Sequence, residues 1–198
     1  FYDGAYLDNY ANPTAYANVT VRSSGSTKYS NYNENSGTGL TIRSLGTISV
    51  TNATADANGN YGLSIESYGT SAPARKVTLT RCFADSNKAS GIVIFSHGTI
   101  DIIDSSASLN GQGSTYRGMY IDNSYGLGSV TVRSAKTTTY NHYSQNSYGG
   151  IYIRSKGNIS VSNVIAEINA QSSGLTIDVD TGPSSPVRTV TVSRRYLN

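Results

Sequence analysis

The stretch that decides the fold is GLTIRSLGTISVTNATADANGNYGLSI, residues 39–65. A glycine precedes an apolar-x-apolar triplet at Gly39, a second triplet starts at Ile48, and the glycine signal returns at Gly62. Side chains alternate across a β-strand, so the apolar residues of each triplet point to one face and the Ser or Thr between them to the other. The stretch therefore predicts two short strands, each with one buried face.

This pattern repeats through the whole chain. The intervals between the glycine signals are 35, 23, 29, 27, 32 and 24 residues, which is typical of a repeat protein whose units stack on one another. We call the segment from one such glycine to the next a unit, and we predict a single domain, residues 1–198. Its seven units begin at Gly4, Gly39, Gly62, Gly91, Gly118, Gly150 and Gly174. The second triplets begin at Val19, Ile48, Val77, Ile100, Val130, Ile159 and Val190.

A longer repeat lies over the short one. Residues 39–58 and 150–169 are identical at 11 of 20 positions, at an offset of 111 residues. Nearly the same offset relates Gly4–Asn9 to Gly118–Asn123. We interpret this as an internal duplication of a four-unit block.

The composition agrees with strands and turns. Ser and Thr account for 51 of the 198 residues, Asn for 18 and Gly for 20, whereas Leu, Ile, Val and Phe total only 40. We therefore expect an all-β chain with a thin core. A net charge of +3 offers no basic stripe for nucleic acid, and no apolar run is long enough to predict membrane insertion. The single Cys82 excludes an internal disulfide.

Asn recurs where the chain is expected to turn, four residues before the glycine of the next unit or, in one case, five. Because Asn accepts left-handed backbone and bonds to neighbouring backbone, we predict a ladder of Asn side chains from unit to unit. Its members are Asn35, Asn58, Asn87, Asn146 and Asn169. Small residues three positions before such an Asn, at Ala55, Ala84, Ala107 and Ala166, suit a tight bend.

With these repeats the sequence resembles the right-handed parallel β-helix proteins, which include pectate lyases, polygalacturonases, phage tailspikes and large microbial surface proteins. The resemblance covers the whole chain. It implies a single-stranded right-handed parallel β-helix, or β-solenoid, of about seven coils. The pattern is specific for the fold and says little about chemistry.

No catalytic set of that group carries over. Polygalacturonases combine carboxylates with Gly-His-Gly and Arg-Ile-Lys motifs; the nearest match is Ser96-His97-Gly98, and Arg-Ile-Lys does not occur. Asp101 and Asp104 near His97 form the one local acid and base cluster, but Asp101 is expected to face solvent as part of a polar strand face. We predict no enzyme activity, no metal site and no cofactor. The recurring Asp8, Asp122 and Asp178 are interpreted as solubilising charge, and Arg43 with Arg154 as a product of the duplication.

The two ends of the chain read as half-units without polar caps. Residues 187–198 resemble the second strand of a unit, and Phe1 lies three residues before the first unit glycine. We expect copies to stack head to tail through these ends. The predicted interface residues are Phe1, Tyr2, Tyr6 and Leu7 at one end and Val190, Val192, Tyr196 and Leu197 at the other. Two alternatives stay open: a fragment of a longer β-helical surface protein, and a monomer whose ends are covered by partner segments.

Tyrosine is unusually frequent, with 16 residues, and exposed Tyr serves subunit contacts and sugar stacking equally well. The partners expected are therefore other copies of the chain or carbohydrate. Tyr6, Tyr120 and Tyr152 are expected on the outer strand face, and the loop residues Tyr29, Tyr32, Tyr140, Tyr143 and Tyr148 are expected to be exposed.

Three sequons mark candidate N-glycosylation sites at Asn18, Asn52 and Asn158. Together with the abundant Ser and Thr, they favour an extracellular or cell-surface location. The predicted function is a structural filament subunit. The alternative is a carbohydrate-binding or polysaccharide-processing β-helix within a larger secreted protein.

Overall fold

Sixteen β-strands, and no helix, form the regular secondary structure of the residues that this computed structural model describes. Those residues are 2–10, 16–25, 27–67, 75–112, 115–136, 138–180 and 188–197, and for residues 194–197 only the backbone is described. Every strand pairing is parallel. The predicted all-β class is confirmed. Within the described ranges, no helix is long and apolar enough to cross a membrane.

The strands alternate between two sheets along the chain. In chain order they are β1 (Ala5–Asn9), β2 (Val19–Arg22), β3 (Ser30–Asn31), β4 (Leu40–Ser44), β5 (Ile48–Thr54), β6 (Leu63–Ser67), β7 (Val77–Phe83), β8 (Ile92–Ser96), β9 (Ile100–Ile103), β10 (Met119–Asn123), β11 (Val130–Arg133), β12 (Asn141–His142), β13 (Ile151–Ser155), β14 (Ile159–Ala166), β15 (Leu175–Val179) and β16 (Val190–Leu197).

The first sheet, sheet A, has the order β1-β4-β6-β8-β10-β13-β15. Each of its strands starts at the residue after a unit glycine, as the triplets predict. The second sheet, sheet B, has the order β2-β5-β7-β9-β11-β14, and β16 pairs with the far side of β14. Two short strands add to it: β3 also pairs with β5, and β12 also pairs with β14. Units that follow one another in sequence are therefore neighbours in both sheets.

The apolar triplets form continuous rows because the pairing register is kept from unit to unit. In sheet A, Ile42, Ile65, Ile94, Ile121 and Ile153 are consecutive partners. Each of these side chains is at most 1% exposed. Sheet B supplies equivalent rows, and the two sets form one hydrophobic cluster. Stacking identical inward positions thus buries a core although few apolar residues are available.

The Asn ladder is present and connects the units at one corner. Asn58 Oδ1 accepts from the backbone N and from Nδ2 of Asn35, at 2.9 and 3.0 Å. The same paired bonds continue through Asn87, Asn110, Asn146 and Asn169. Asn110 is an additional rung: it lies eight residues before Gly118, so the four-residue spacing misses it.

The left-handed residues at this corner precede the ladder Asn, which corrects the expectation that Asn itself adopts this conformation there. Their φ angles are between 56° and 60°. They are Glu34, Ala57, Ser86, Leu109, Gln145 and Ile168. The Asn side chains are thereby left free to bond along the ladder instead of supporting the turn.

The predicted exposure of Tyr143 is wrong. Tyr143 lies three residues before Asn146, the position held by Ala107 and Ala166 in adjacent units, and its side chain is 0% exposed. Because the flanking residues of this row are alanines, space remains inside for one ring. Tyr32, in the same row near the edge, is half-buried and also packs against the core.

Candidate functional site

Both ends of the sheets present open edges. The strands β1 and β2 pair only with β4 and with β5, and at the other end β15 and β16 pair only with β13 and with β14, within the part of the chain that is described. A parallel strand with one partner leaves a row of backbone N–H and C=O groups available to another strand.

Apolar side chains of the inward rows are partly exposed at these edges. Leu7 is 37% exposed and Val190 is 42% exposed, whereas residues of the same rows in the middle of the molecule are buried. Val192 is half-buried and packs against the core. The edges therefore carry both hydrogen-bonding groups and apolar surface.

The other predicted interface residues are placed as follows. Tyr6 points outward and is 53% exposed, and Tyr2 is 85% exposed, with its backbone N donating to Ser36 Oγ. Tyr196 lies in β16 opposite Ile165, and Leu197 opposite Ala166, by their backbones. Phe1 and the side chains of Tyr196 and Leu197 lie outside what is described.

A row of charged side chains crosses the outer face of sheet A. The register aligns Asp8, Arg43, Glu66, Phe95, Asp122, Arg154 and Asp178. Sequence reasoning treated Arg43 and Arg154 as inherited repeats, but both pair with carboxylates on neighbouring strands.

Arg43 lies between two carboxylates. Its Nη1 is 3.4 Å from Asp8 Oδ2 and its Nε 3.0 Å from Glu66 Oε2. The hydrogen bond to the Tyr6 hydroxyl, together with Glu66, raises the pKa of Arg43. Arg154, at the other end of the row, pairs on one side only among the described residues: its Nε is 3.5 Å from Asp178 Oδ2 and its Nη2 is 3.6 Å from Asp180 Oδ2.

Aromatic rings occupy the middle of the same face. Tyr120 and Tyr152 stack at a centroid distance of 5.2 Å, and Phe95 lies 5.8 Å from Tyr120. The Arg117 guanidinium lies over Tyr152 and over Tyr148, at 4.9 and 4.5 Å from the ring centres. The predicted outer position of Tyr120 and Tyr152 is correct, although burial raises the pKa of both.

An open groove of about 240 Å³ adjoins these rings. Tyr61 and Tyr116 meet edge to face at 6.3 Å on its wall, while Arg117 and Ser90 contribute polar groups. Val93 is only 6% exposed although it points outward, because it lies in this groove. Aromatic walls with a guanidinium and a hydroxyl suit an amphipathic ligand such as a sugar.

The acid and base candidates named from sequence do not converge. Asp101 lies between Lys76 Nζ and Arg133 Nε, at 3.5 and 3.8 Å. Asp104 accepts from Ser134 Oγ and from Ala135 N. His97 instead lies against Tyr125, and burial lowers its pKa.

A second ladder, formed by carboxylates, lies two residues before the Asn ladder along the chain. Asp56 Oδ1 accepts from Asp85 N at 2.8 Å, and Asp85 Oδ1 accepts from Ser108 N at 2.7 Å. Burial raises the pKa of both Asp56 and Asp85. Each carboxylate thus bonds to the backbone of the next unit, a role that sequence reasoning did not assign.

The three sequons differ in accessibility. Asn18 and Asn158 are exposed, and each Oδ1 accepts a backbone N–H from a neighbouring unit. Asn52 is 3% exposed, has a left-handed φ of 56°, and donates from Nδ2 to Ser23 Oγ and Gly25 O. A glycan on Asn52 would require this corner to open.

Cys82 lies in β7 and its side chain is part of the core. Its thiol is fully buried, and burial raises its pKa to about 12. No group of three or more potential metal-ligating His, Cys, Asp or Glu side chains occurs among the described residues.

Comparison with known proteins adds no family: no family model, curated protein or solved structure matches this chain. Functional inference therefore depends on the open edges and on the outer face of sheet A.

Proposed function

We propose that this chain is an extracellular structural protein, a single-stranded right-handed parallel β-helix of about seven coils that stacks head to tail into a filament. Two parallel sheets, visited in turn by the chain, support a β-helix, and crossovers between parallel strands are nearly always right-handed. The four-unit duplication and the abundance of Ser and Thr support a repetitive extracellular element.

The observation that carries the proposal is the match between the two open edges. β15 and β1 each have five residues with apolar side chains at the first and third positions, and among the described strands each is paired on one side only. Continuing the register would pair Leu175 with Ala5 and Ile177 with Leu7. In sheet B it would pair Val190 with Val19. A second copy would then bury rows that are now half-exposed.

This association is heterologous and does not close on itself, so it generates an open filament. It is tested by placing a charge within the junction. Val190→Lys directs an ammonium group into the shared core, whereas Thr191→Lys, on the same strand, directs it to solvent.

We expect sedimentation velocity of the 198-residue chain at rising concentration to show large assemblies for the unaltered protein and for Thr191→Lys, but monomers for Val190→Lys. Circular dichroism of each sample checks the fold. If the unaltered chain stays monomeric at the highest attainable concentration, or if both variants behave alike, stacking through this edge is refuted.

The second candidate function is carbohydrate binding within a larger secreted protein, and the groove beside Tyr120 favours it. Tyr61, Tyr116 and Arg117 supply flat rings and a cation to that groove. Glycan-array binding by the unaltered chain, lost in Tyr120→Ala but not in Tyr125→Ala, would support it. No binding by the unaltered chain would remove it.

A further inference from the structure

We infer that the junction between stacked copies places two carboxylates, Asp178 and Asp8, side by side, so that electrostatic repulsion controls filament growth. The inference depends on the proposed stacking. It is drawn from the charged row on the outer face of sheet A, where the register that pairs Ile177 with Leu7 also pairs Asp178 with Asp8.

Within one chain, an arginine separates the carboxylates that would otherwise be neighbours in this row. Arg43 separates Asp8 from Glu66, and Arg154 separates Asp122 from Asp178. The remaining interval, between Glu66 and Asp122, contains the neutral Phe95. Consequently no two carboxylates of the row are direct strand neighbours inside the chain.

The internal duplication allows the junction to be compared with the equivalent strands inside the chain. By the four-unit offset, β15 corresponds to β6 and β1 corresponds to β10, because Gly174 follows Gly62 by 112 residues and Gly118 follows Gly4 by 114. Inside the chain, β8 with Phe95 lies between β6 and β10. At the junction β15 would meet β1 directly, so Asp178 and Asp8 would be neighbours at the strand spacing of about 4.8 Å without that spacer.

The groups around the two carboxylates do not remove this repulsion. Asp8 faces Arg43 from β4 and accepts from the Tyr6 hydroxyl and from Tyr10 N, and no second cation pairs with it in the described part of the chain.

Asp178 faces Arg154 from β13 and accepts from the Tyr152 hydroxyl, but Arg154 also lies 3.6 Å from Asp180, which Lys156 approaches at 4.0 Å. Each arginine is therefore shared with a second carboxylate. Like charges on adjacent strands oppose pairing, and salt screens them.

The test measures the critical concentration for assembly by light scattering at pH 7, at low and at physiological ionic strength. We expect salt to lower the critical concentration of the unaltered chain. Asp178→Asn and Asp8→Asn should each lower it about five-fold at low salt. The double variant should gain little more than either single variant, because one neutral partner already removes the pairwise repulsion.

Asp101→Asn is the control, since it also removes one carboxylate charge but lies in β9, in the middle of sheet B, and pairs with Lys76 and Arg133 instead of with the arginines of this row. Its critical concentration should remain close to that of the unaltered chain. An equal effect of Asp101→Asn, or additive effects of the two Asp variants, would overturn the inference, because net charge would then be the cause.

The outcomes separate the two proposals. Assembly that is insensitive to salt and to both Asp substitutions refutes the charged junction and leaves stacking intact. Failure of every sample to assemble under any of these conditions refutes the stacking proposal and this inference together. Circular dichroism and thermal melts of each variant confirm that the isosteric Asn substitutions leave the fold unchanged.

Discussion

The middle of the molecule and its two edges are made from the same repeated residues but differ in how far those residues are buried by neighbouring strands. Ile94 and Leu7 occupy the same inward row of sheet A; Ile94 is 0% exposed between two neighbouring strands, and Leu7 is 37% exposed with only one. A repeat unit is therefore stabilised mainly by its neighbours on both sides. The edges are the parts of the molecule that gain most from a further neighbour.

Truncating the same row at the two places should give the largest contrast. Ile94→Ala leaves a cavity between packed units and should lower the unfolding free energy by about 2–5 kcal/mol. Leu7→Ala removes a partly exposed side chain and should lower it by about 1 kcal/mol in dilute solution. Urea unfolding below the assembly threshold measures both. Equal losses would mean that the edge is as well packed as the middle.

Removing a rung of the Asn ladder should have the next largest effect. Asn87→Ala takes the acceptor away from the backbone N and Nδ2 of Asn58, both buried, and should lower the unfolding free energy by about 1–3 kcal/mol. At the edge, Asn35→Ala leaves the Asn58 acceptor bonded to the backbone N of residue 35 and should cost under about 1 kcal/mol. Thermal melts of the two variants compare them. Similar melting points would contradict a ladder that strengthens inward.

The buried tyrosine offers a substitution in the stabilising direction. The Tyr143 side chain is fully buried, and its hydroxyl has no hydrogen-bond partner among the residues that the structure describes. Tyr143→Phe should therefore raise the unfolding free energy, by about 1 kcal/mol. Tyr32→Phe, in the same row but half-buried near the edge, should change it little. A loss of stability in Tyr143→Phe would show that the hydroxyl is bonded in solution.

The smallest expected effects concern the carboxylate ladder and are visible as pH dependence. Burial raises the folded-state pKa of Asp56 and Asp85, so each favours folding most when protonated, and that contribution is lost as pH rises through the folded pKa.

Asp56→Asn and Asp85→Asn keep the Oδ1 acceptor and should be more stable than the unaltered chain at pH 7. The difference should disappear below the unfolded-state value of about 3.9. Melts between pH 3 and pH 8 measure it. Asp101→Asn is the control, because Asp101 pairs with Lys76 and Arg133 and its loss should not stabilise the protein. A neutral-pH advantage for Asp101→Asn as well would point to net charge instead of burial.

Sequence periodicity predicted where the strands of both sheets begin, except for the two-residue strands β3 and β12, which contain no apolar triplet. A glycine and an apolar triplet recur at every unit, and strand alternation then dictates which side chains point inward. Most of the Asn ladder followed from spacing alone. Asn110 was not predicted because the segment between it and Gly118 is three or four residues longer than in the other units.

The features that were missed depend on neighbours distant in sequence. Tyr143 looked like a loop residue because its surroundings are polar; its buried position follows from its alignment with Ala107 and Ala166. The ion pairs of Arg43 and the bonds of Asp56 likewise join residues 23 to 35 positions apart. The local sequence pattern does not show which residues face each other on neighbouring strands.

The central claim, that copies stack through their open edges, is tested most directly by cryo-electron microscopy of the concentrated 198-residue chain at physiological ionic strength. If both sheets continue across the junction, the chain should form uniform thin fibres with an axial repeat of seven strand spacings, about 34 Å. Particles that remain single at all concentrations, or fibres whose repeat is unrelated to this length, would contradict the account.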